Sequence, residues 1–176
     1  MIRKILVAID ESAASDRAFA QSLEMAKALD AGLILVHALD VFDPASPEYP
    51  TIAVDSYSVH LDKAVRENYE KQWAGFVRHT EALIQRKRQE AEAIGLVAQY
   101  MQPYGHPGSA ICKVAETAQA DLIIVGSRGR SGIKEMLLGS VSNYIMHHAP
   151  CSVTVVHPHS HYASKAQVQN LEAVTA

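Results

Sequence analysis

Residues 126–140 read Gly126-Ser-Arg-Gly129-Arg-Ser-Gly132-Ile-Lys-Glu-Met-Leu-Leu-Gly139-Ser140, directly after the apolar run Leu122-Ile-Ile-Val125. Three glycines at the exit of a buried strand allow the backbone to bend sharply and bring its N–H groups close to a ligand. The fourth, Gly139, stands before Ser140, where a helix is expected to begin. A helix start offers unpaired amides and the positive end of a dipole, an arrangement suited to phosphate. The Ser140 hydroxyl and the Arg128 and Arg130 guanidinium groups could add donors and charge. The bland alternative is a glycine-bearing surface turn before an ordinary helix. Neither the G-x-x-x-x-G-K-[ST] loop nor the G-x-G-x-x-G fingerprint is present.

No Ser-His-Asp or Cys-His spacing and no paired carboxylates stand out for acid–base work, which favours binding over turnover. His157, His159 and His161 alternate near the end, with His147 and His148 close by, but no Cys or carboxylate completes a metal set. They read as part of a solvated tail. Cys112 and Cys151 lie outside any C-x-x-C pair and read as structural thiols.

The elements that must position the glycine segment follow from apolar periodicity. Lys4–Ile9 and Leu33–Leu39 are nearly continuous apolar runs, as in strands covered on both faces. Leu96–Met101, Asp121–Val125 and Ser152–Val156 complete five strands. Helices are expected between them. The first has Ser12 as N-cap, an apolar stripe of Phe19, Leu23, Ala26 and Leu29, and an end at Ala31-Gly32. Another starts at Pro107 with Ile111, Val114, Ala115 and Ala118 on one face. A last one covers roughly 133–148. Strands alternating with helices imply right-handed crossovers and a parallel sheet, with ligands at the carboxyl ends of the strands. Those ends are marked by Asp10 and Gly126.

Between the second and third strands lies a proline-bearing loop, about 40–60, then a helical pattern over 61–94. Such a helix would reach about 50 Å at ~1.5 Å per residue, so it either protrudes or breaks near Gly75.

The 176 residues are 48% hydrophobic and 20% charged, enough for one domain with its own core. A net charge of −3 gives no global attraction to nucleic acid or anionic lipid. No apolar run approaches the ~20 residues that span a bilayer. No signal peptide is recognised at the start. The expectation is a cytoplasmic protein with neither membrane nor nucleic-acid partners.

The spacing Gly126-x2-Gly129-x9-Gly139-Ser140 resembles the G-x2-G-x9-G-[ST] signature of the ATP-binding branch of the universal stress proteins. Val7-Ala8-Ile9-Asp10, Gly105-His-Pro107, Ala120-Asp-Leu-Ile-Ile-Val125 and Ala149-Pro-Cys-Ser-Val-Thr-Val-Val156 are similar to further marks of that family, in order. Ser152 and Thr154 depart from its last-strand pattern. The likeness covers about 1–41 and 95–157. It leaves a long insertion over 42–94 and a polar tail over 158–176.

That resemblance implies a doubly wound α/β fold: a five-stranded parallel sheet of order 3-2-1-4-5 with helices on both faces. It also implies adenine nucleotide, as ATP with Mg²⁺, across the first and fourth strand ends. Gly126, Gly129, Gly139 and Ser140 would hold ribose and phosphates, with Val141 next and Val125 and Arg128 beside them. Ala8, Ile9 and Asp10 would face the adenine and ribose, and Ala38 or Leu39 the base. Asp10 could instead orient a metal-bound water, or simply cap a helix. A homodimer through Val153–Val156 is expected, and the implied role is stress-response regulation. The alternatives are a slow ATPase or phosphotransferase, and an interaction module whose pocket is vestigial.

Overall fold

Ile5, Leu6 and Val7 have no polar residue among them, so the strand they form needs cover on both faces. All three are fully buried in β1 (Lys4–Ala8). In a strand, alternate side chains point to opposite faces, and the core divides accordingly. Ile5 and Val7 belong to one buried cluster and Leu6 to the other. The computed structural model describes residues 1–50, 59–127 and 138–157, with the backbone path alone for 59–62.

Four further strands run parallel to β1: β2 (Gly32–Val36), β3 (Ala98–Met101), β4 (Leu122–Gly126) and β5 (Ser152–Val156). Their order is β3-β2-β1-β4-β5, as the resemblance implied. Ile5 stands between Leu33 of β2 and Leu122 of β4. Asp121 fastens the base of this register, accepting the backbone N–H of Arg3 at 2.7 Å and of Lys4 at 2.9 Å. Those two donors hold its carboxyl below the usual aspartate value.

Helix α1 (Ala13–Leu29) covers the face that includes Ile5, Val7, Leu33, Leu35 and Ile124. Of its expected stripe, Phe19 and Ala26 are buried and Leu23 is partly buried, while Leu29 is 44% exposed. The helix ends one residue sooner than Ala31-Gly32, with Leu29 last and Asp30 as its cap. Asp30 takes the left-handed conformation at φ 52° and donates its N–H to Ala26, so Gly32 is free to begin β2.

Helix α2 (Val59–Ala93) shares that face and runs unbroken through Gly75. Its length is about 52 Å at ~1.5 Å per residue, longer than the sheet it covers. Phe76, Thr80, Ile84 and Ala91 are buried, whereas no residue from 63 to 75 is. The first half therefore projects past the sheet. Lys87 docks α2 on α1: its Nζ lies 2.7 Å from Asp16 Oδ1 and 4.7 Å from the centre of the Phe19 ring.

The opposite face is covered by α3 (Pro107–Ala118) and α4 (Ser140–His148). Ile111, Val114 and Ala115 are buried on the expected stripe, with Ala118 partly so. A Cβ on Gly108 would stand 2.8 Å from the Tyr144 side chain, so glycine lets the two helices touch. The expected helix over 133–148 begins, among the described residues, at Ser140; 133–137 lie outside them, as does the tail 158–176.

Candidate functional site at the ends of the first and fourth strands

After β1 the chain turns into α1 through a closed set of hydrogen bonds. Asp10 Oδ1 accepts the Ser12 N–H at 2.8 Å and the Ser12 hydroxyl at 2.5 Å. Ser12 Oγ accepts the Ser15 N–H at 3.1 Å, the N-cap bond expected from sequence. Ser15 Oγ accepts the Asp10 N–H at 2.9 Å. One carboxylate oxygen of Asp10 thus serves the turn, and Oδ2 lies outside this network.

After β4 the chain behaves differently. Gly126 pairs with Val156 of β5, and a Cβ there would fall 2.8 Å from the Ala14 backbone carbonyl carbon and 3.0 Å from Ser15 N. This glycine admits the head of α1. Its place in the site is therefore explained by packing, with no ligand required. Ser127 follows, fully buried, donating its N–H to Val156 O at 2.7 Å. Its carbonyl accepts the Gly139 N–H at 2.7 Å, and the Ser142 hydroxyl lies 3.1 Å from the same oxygen. Ser127 and Gly139 are so drawn together across the segment that carries Arg128 and Gly129, both of which lie outside the described residues.

Gly139 is the N-cap of α4, extended at φ −75° and ψ 166°, with no side chain to cap the helix. Its own N–H is engaged by Ser127, so it is not itself a free phosphate donor. The donors of the first turn are the amides of Ser140, Val141 and Ser142. Among the described residues, no side chain caps them. The Gly139–Ser127 bond sets them beside the carboxyl end of β4, and strand order reverses between β4 and its neighbour β1.

The second strand continues to this edge. Ile9 and Leu39 have their backbone groups engaged: Ile9 N with Val36 O, Leu39 N with Pro103 O, and Leu39 O with Gly105 N. Leu39, like His37 and Leu33, faces β3. Ala38 alternates with them toward β1, and its backbone meets no backbone partner among the described residues. Of the two residues that the resemblance put near a base, Ala38 therefore has the groups to offer. The side chains of Ile9, Ala38, Leu39 and Val125 are buried, and that of Ala8 is partly so. They shape the floor and donate nothing.

His37 was not expected. It is buried at 3% exposure, with Nδ1 2.8 Å from Ile9 O and its ring centre 6.5 Å from that of Phe76. A carbonyl only accepts, so Nδ1 is the donor of this bond. Among the described residues, Nε2 is buried without a partner, as is Ser127 Oγ. A polar residue inside the apolar run Leu33–Leu39 was the available signal. Cys112 and Cys151 sit in or against the α3–α4 core cluster, and burial pushes both thiols up. No group of three or more metal-ligating side chains occurs among the described residues, and no helix there is long and apolar enough to cross a membrane.

Residues 1–157 match the family model described as the universal stress protein family. A universal stress protein of Bacillus subtilis is 30% identical over 157 residues, covering 89% of this chain and 99% of its own length. One from Synechocystis is 43% identical over 90 residues, 51% of this chain and 83% of its own. Among solved structures, a universal stress protein from Lactobacillus plantarum superposes with a TM-score of 0.68 at 24% identity, over 88% of this chain and 97% of that one. Two others contain nucleotides. A universal stress protein in complex with cAMP has a TM-score of 0.60 at 23% identity, over 90% and 98% of the two chains. One from Arabidopsis thaliana with AMP bound has 0.56 at 20%, over 94% and 99%.

Proposed function

The chain belongs to the universal stress protein family, and we propose that it works there as an adenine-nucleotide-binding regulator, taking ATP with Mg²⁺ at the carboxyl ends of β1 and β4. The observation that carries this reading is the head of α4. Its cap is a glycine, and its first-turn amides meet no side chain among the described residues. Amides left open beside a crevice suit an anion, because each charge-assisted bond is stronger than a neutral one. Val141 and Ser140 would hold the phosphates, with Arg128 and Gly129 joining from the neighbouring segment. The Ala38 backbone would read the base. The bound AMP and cAMP of two structural neighbours are consistent with an adenine ligand.

Magnesium fits this donor set modestly. It commonly takes one or two carboxylates together with substrate phosphates and water, and Asp10 Oδ2 is a carboxylate oxygen not engaged in the turn. The metal would neutralise phosphate charge; Asp10 would orient it or its water.

The same reading places the protein in the cytoplasm as a homodimer. β5 is an edge strand with Val153 and Val155 half-buried, and an apolar edge invites pairing with a second copy. Nucleotide occupancy beside β4 could be transmitted to that edge through the Ser127–Val156 bond.

Ser140→Pro tests the assignment cleanly. Proline is accepted at the first helical position and requires an extended residue before it, which Gly139 already is. The substitution removes the Ser140 amide, together with its hydroxyl, without breaking the helix. Titration calorimetry should show ATP affinity falling at least about tenfold, the worth of a single hydrogen bond to a charged group. A folded Ser140→Pro protein that binds ATP as tightly as the parent refutes the phosphate site.

A further inference from the structure

The projecting half of α2 lies in the segment that the sequence resemblance does not cover. Between residues 63 and 73, Val65, Tyr69 and Trp73 are partly covered and every other residue is exposed. Spaced four apart, the three share one face of the helix. Rings from two loops extend that face. Tyr69 lies 5.2 Å from Tyr49 and 6.3 Å from Trp73, and Trp73 lies 6.4 Å from Tyr104, ring centre to ring centre. Tyr49 and Tyr104 are themselves 76% and 69% exposed. Clustered exposed rings of this kind mark interaction sites.

We propose that this face is an interface with a second copy of the chain. The two α2 arms cross antiparallel about a twofold axis near Asn68, and Arg66 of each pairs with the partner's Glu70. The inference does not depend on the nucleotide reading.

The charges beside the rings select this occupant. Arg66 follows Val65 and Glu70 follows Tyr69, each by one position and one turn apart, so both stand on the same flank of the face. Both are exposed, and neither makes an ion pair among the described residues. The other flank carries the uncharged Asn68 and Gln72, and Gln72 there joins Gly75 and His79 in lining an open pocket against Glu11 and residues 45–47. That flank is engaged within the chain. A cation and an anion side by side do not complement a partner of one charge sign. They complement the same helix running the other way, as a twofold contact requires.

The face is also separate from the β5 edge. Tyr104 follows β3, and β3 and β5 are the two opposite edges of the sheet. Both contacts can therefore form in one assembly.

The experiment is size-exclusion chromatography with light scattering on the full chain and two charge reversals, Arg66→Glu and Glu70→Arg. Each variant alone sets like charges against each other at both pairs, so its mass should be half that of the parent. In an equal mixture of the two variants, opposite charges meet again at both pairs and the parent's mass should return. Trp73 is the only tryptophan in the chain; its emission should move to the red in each variant and return on mixing. Variants as heavy as the parent overturn the interface. Variants that dissociate alone and do not recombine overturn the antiparallel pairing.

Discussion

The two strand-to-helix junctions that border the crevice solve the same problem in opposite ways. At the end of β1, Asp10, Ser12 and Ser15 satisfy one another and the head of α1, with bonds of 2.5–3.1 Å. At the end of β4, Gly139 supplies an extended backbone but no side chain, and the first turn of α4 is left to outside partners. Both helices carry the same unpaired amides by construction; the difference is the side chain one position earlier. A closed junction contributes stability, while an open one forgoes that contribution and becomes able to bind. Helix α3 shows that lack of a cap is not sufficient. His106 makes no side-chain cap bond either, but Pro107 removes one of the donors and the helix starts beyond β3, away from the strand reversal.

Making α4 resemble α1 breaks the contrast most severely. Gly139→Asp places a capping carboxylate at an extended position that any residue can adopt. It occupies a first-turn amide and sets negative charge against the phosphates. ATP affinity should fall about 100-fold, the ~3 kcal/mol of a lost charged hydrogen bond with repulsion added. Thermal stability should hold or rise by a few tenths of a kcal/mol. Retained nucleotide affinity would show that the open amides are not the binding groups.

Gly126→Ala asks which junction the first glycine serves. The added methyl would press on Ala14 at 2.8–2.9 Å, so urea unfolding should report a loss of about 1–3 kcal/mol, the usual cost of overpacking. The folded fraction should bind ATP with affinity within about threefold of the parent, since a ~0.6 kcal/mol change amounts to less than that. An unchanged stability with abolished binding would return Gly126 to the ligand. The smallest effect is expected from opening the closed junction. Ser12→Ala removes the α1 cap and should cost about 1 kcal/mol in the same unfolding measurement; no change would mean that water replaces the hydroxyl at no penalty.

Much of the fold was legible because the signals were local and redundant. The apolar runs at Lys4–Ile9 and Asp121–Val125 could only be covered strands, and Ser12 and Pro107 mark helix starts by chemistry that acts within four residues. Helix α2 was less legible: Gly75 lowers helix propensity, yet packing of Phe76 and Ile84 on either side of Thr80 carries the helix through. The candidate site was read from glycine spacing, which records that side chains are absent without saying why. Gly126 and Gly139 look alike in the chain, yet one clears room for α1 and the other leaves α4 uncapped.

From the sequence alone came the strand and helix alternation and the family. These depend on periodicity and on motifs whose meaning is carried by near neighbours. Only the tertiary structure decided that the Gly139 amide belongs to Ser127, that Ala38 rather than Leu39 turns its backbone toward β1, and that α2 walls a pocket beside Glu11. Each of those depends on groups far apart in the chain becoming neighbours, and a hydrogen bond goes to whichever donor the fold brings within about 3 Å.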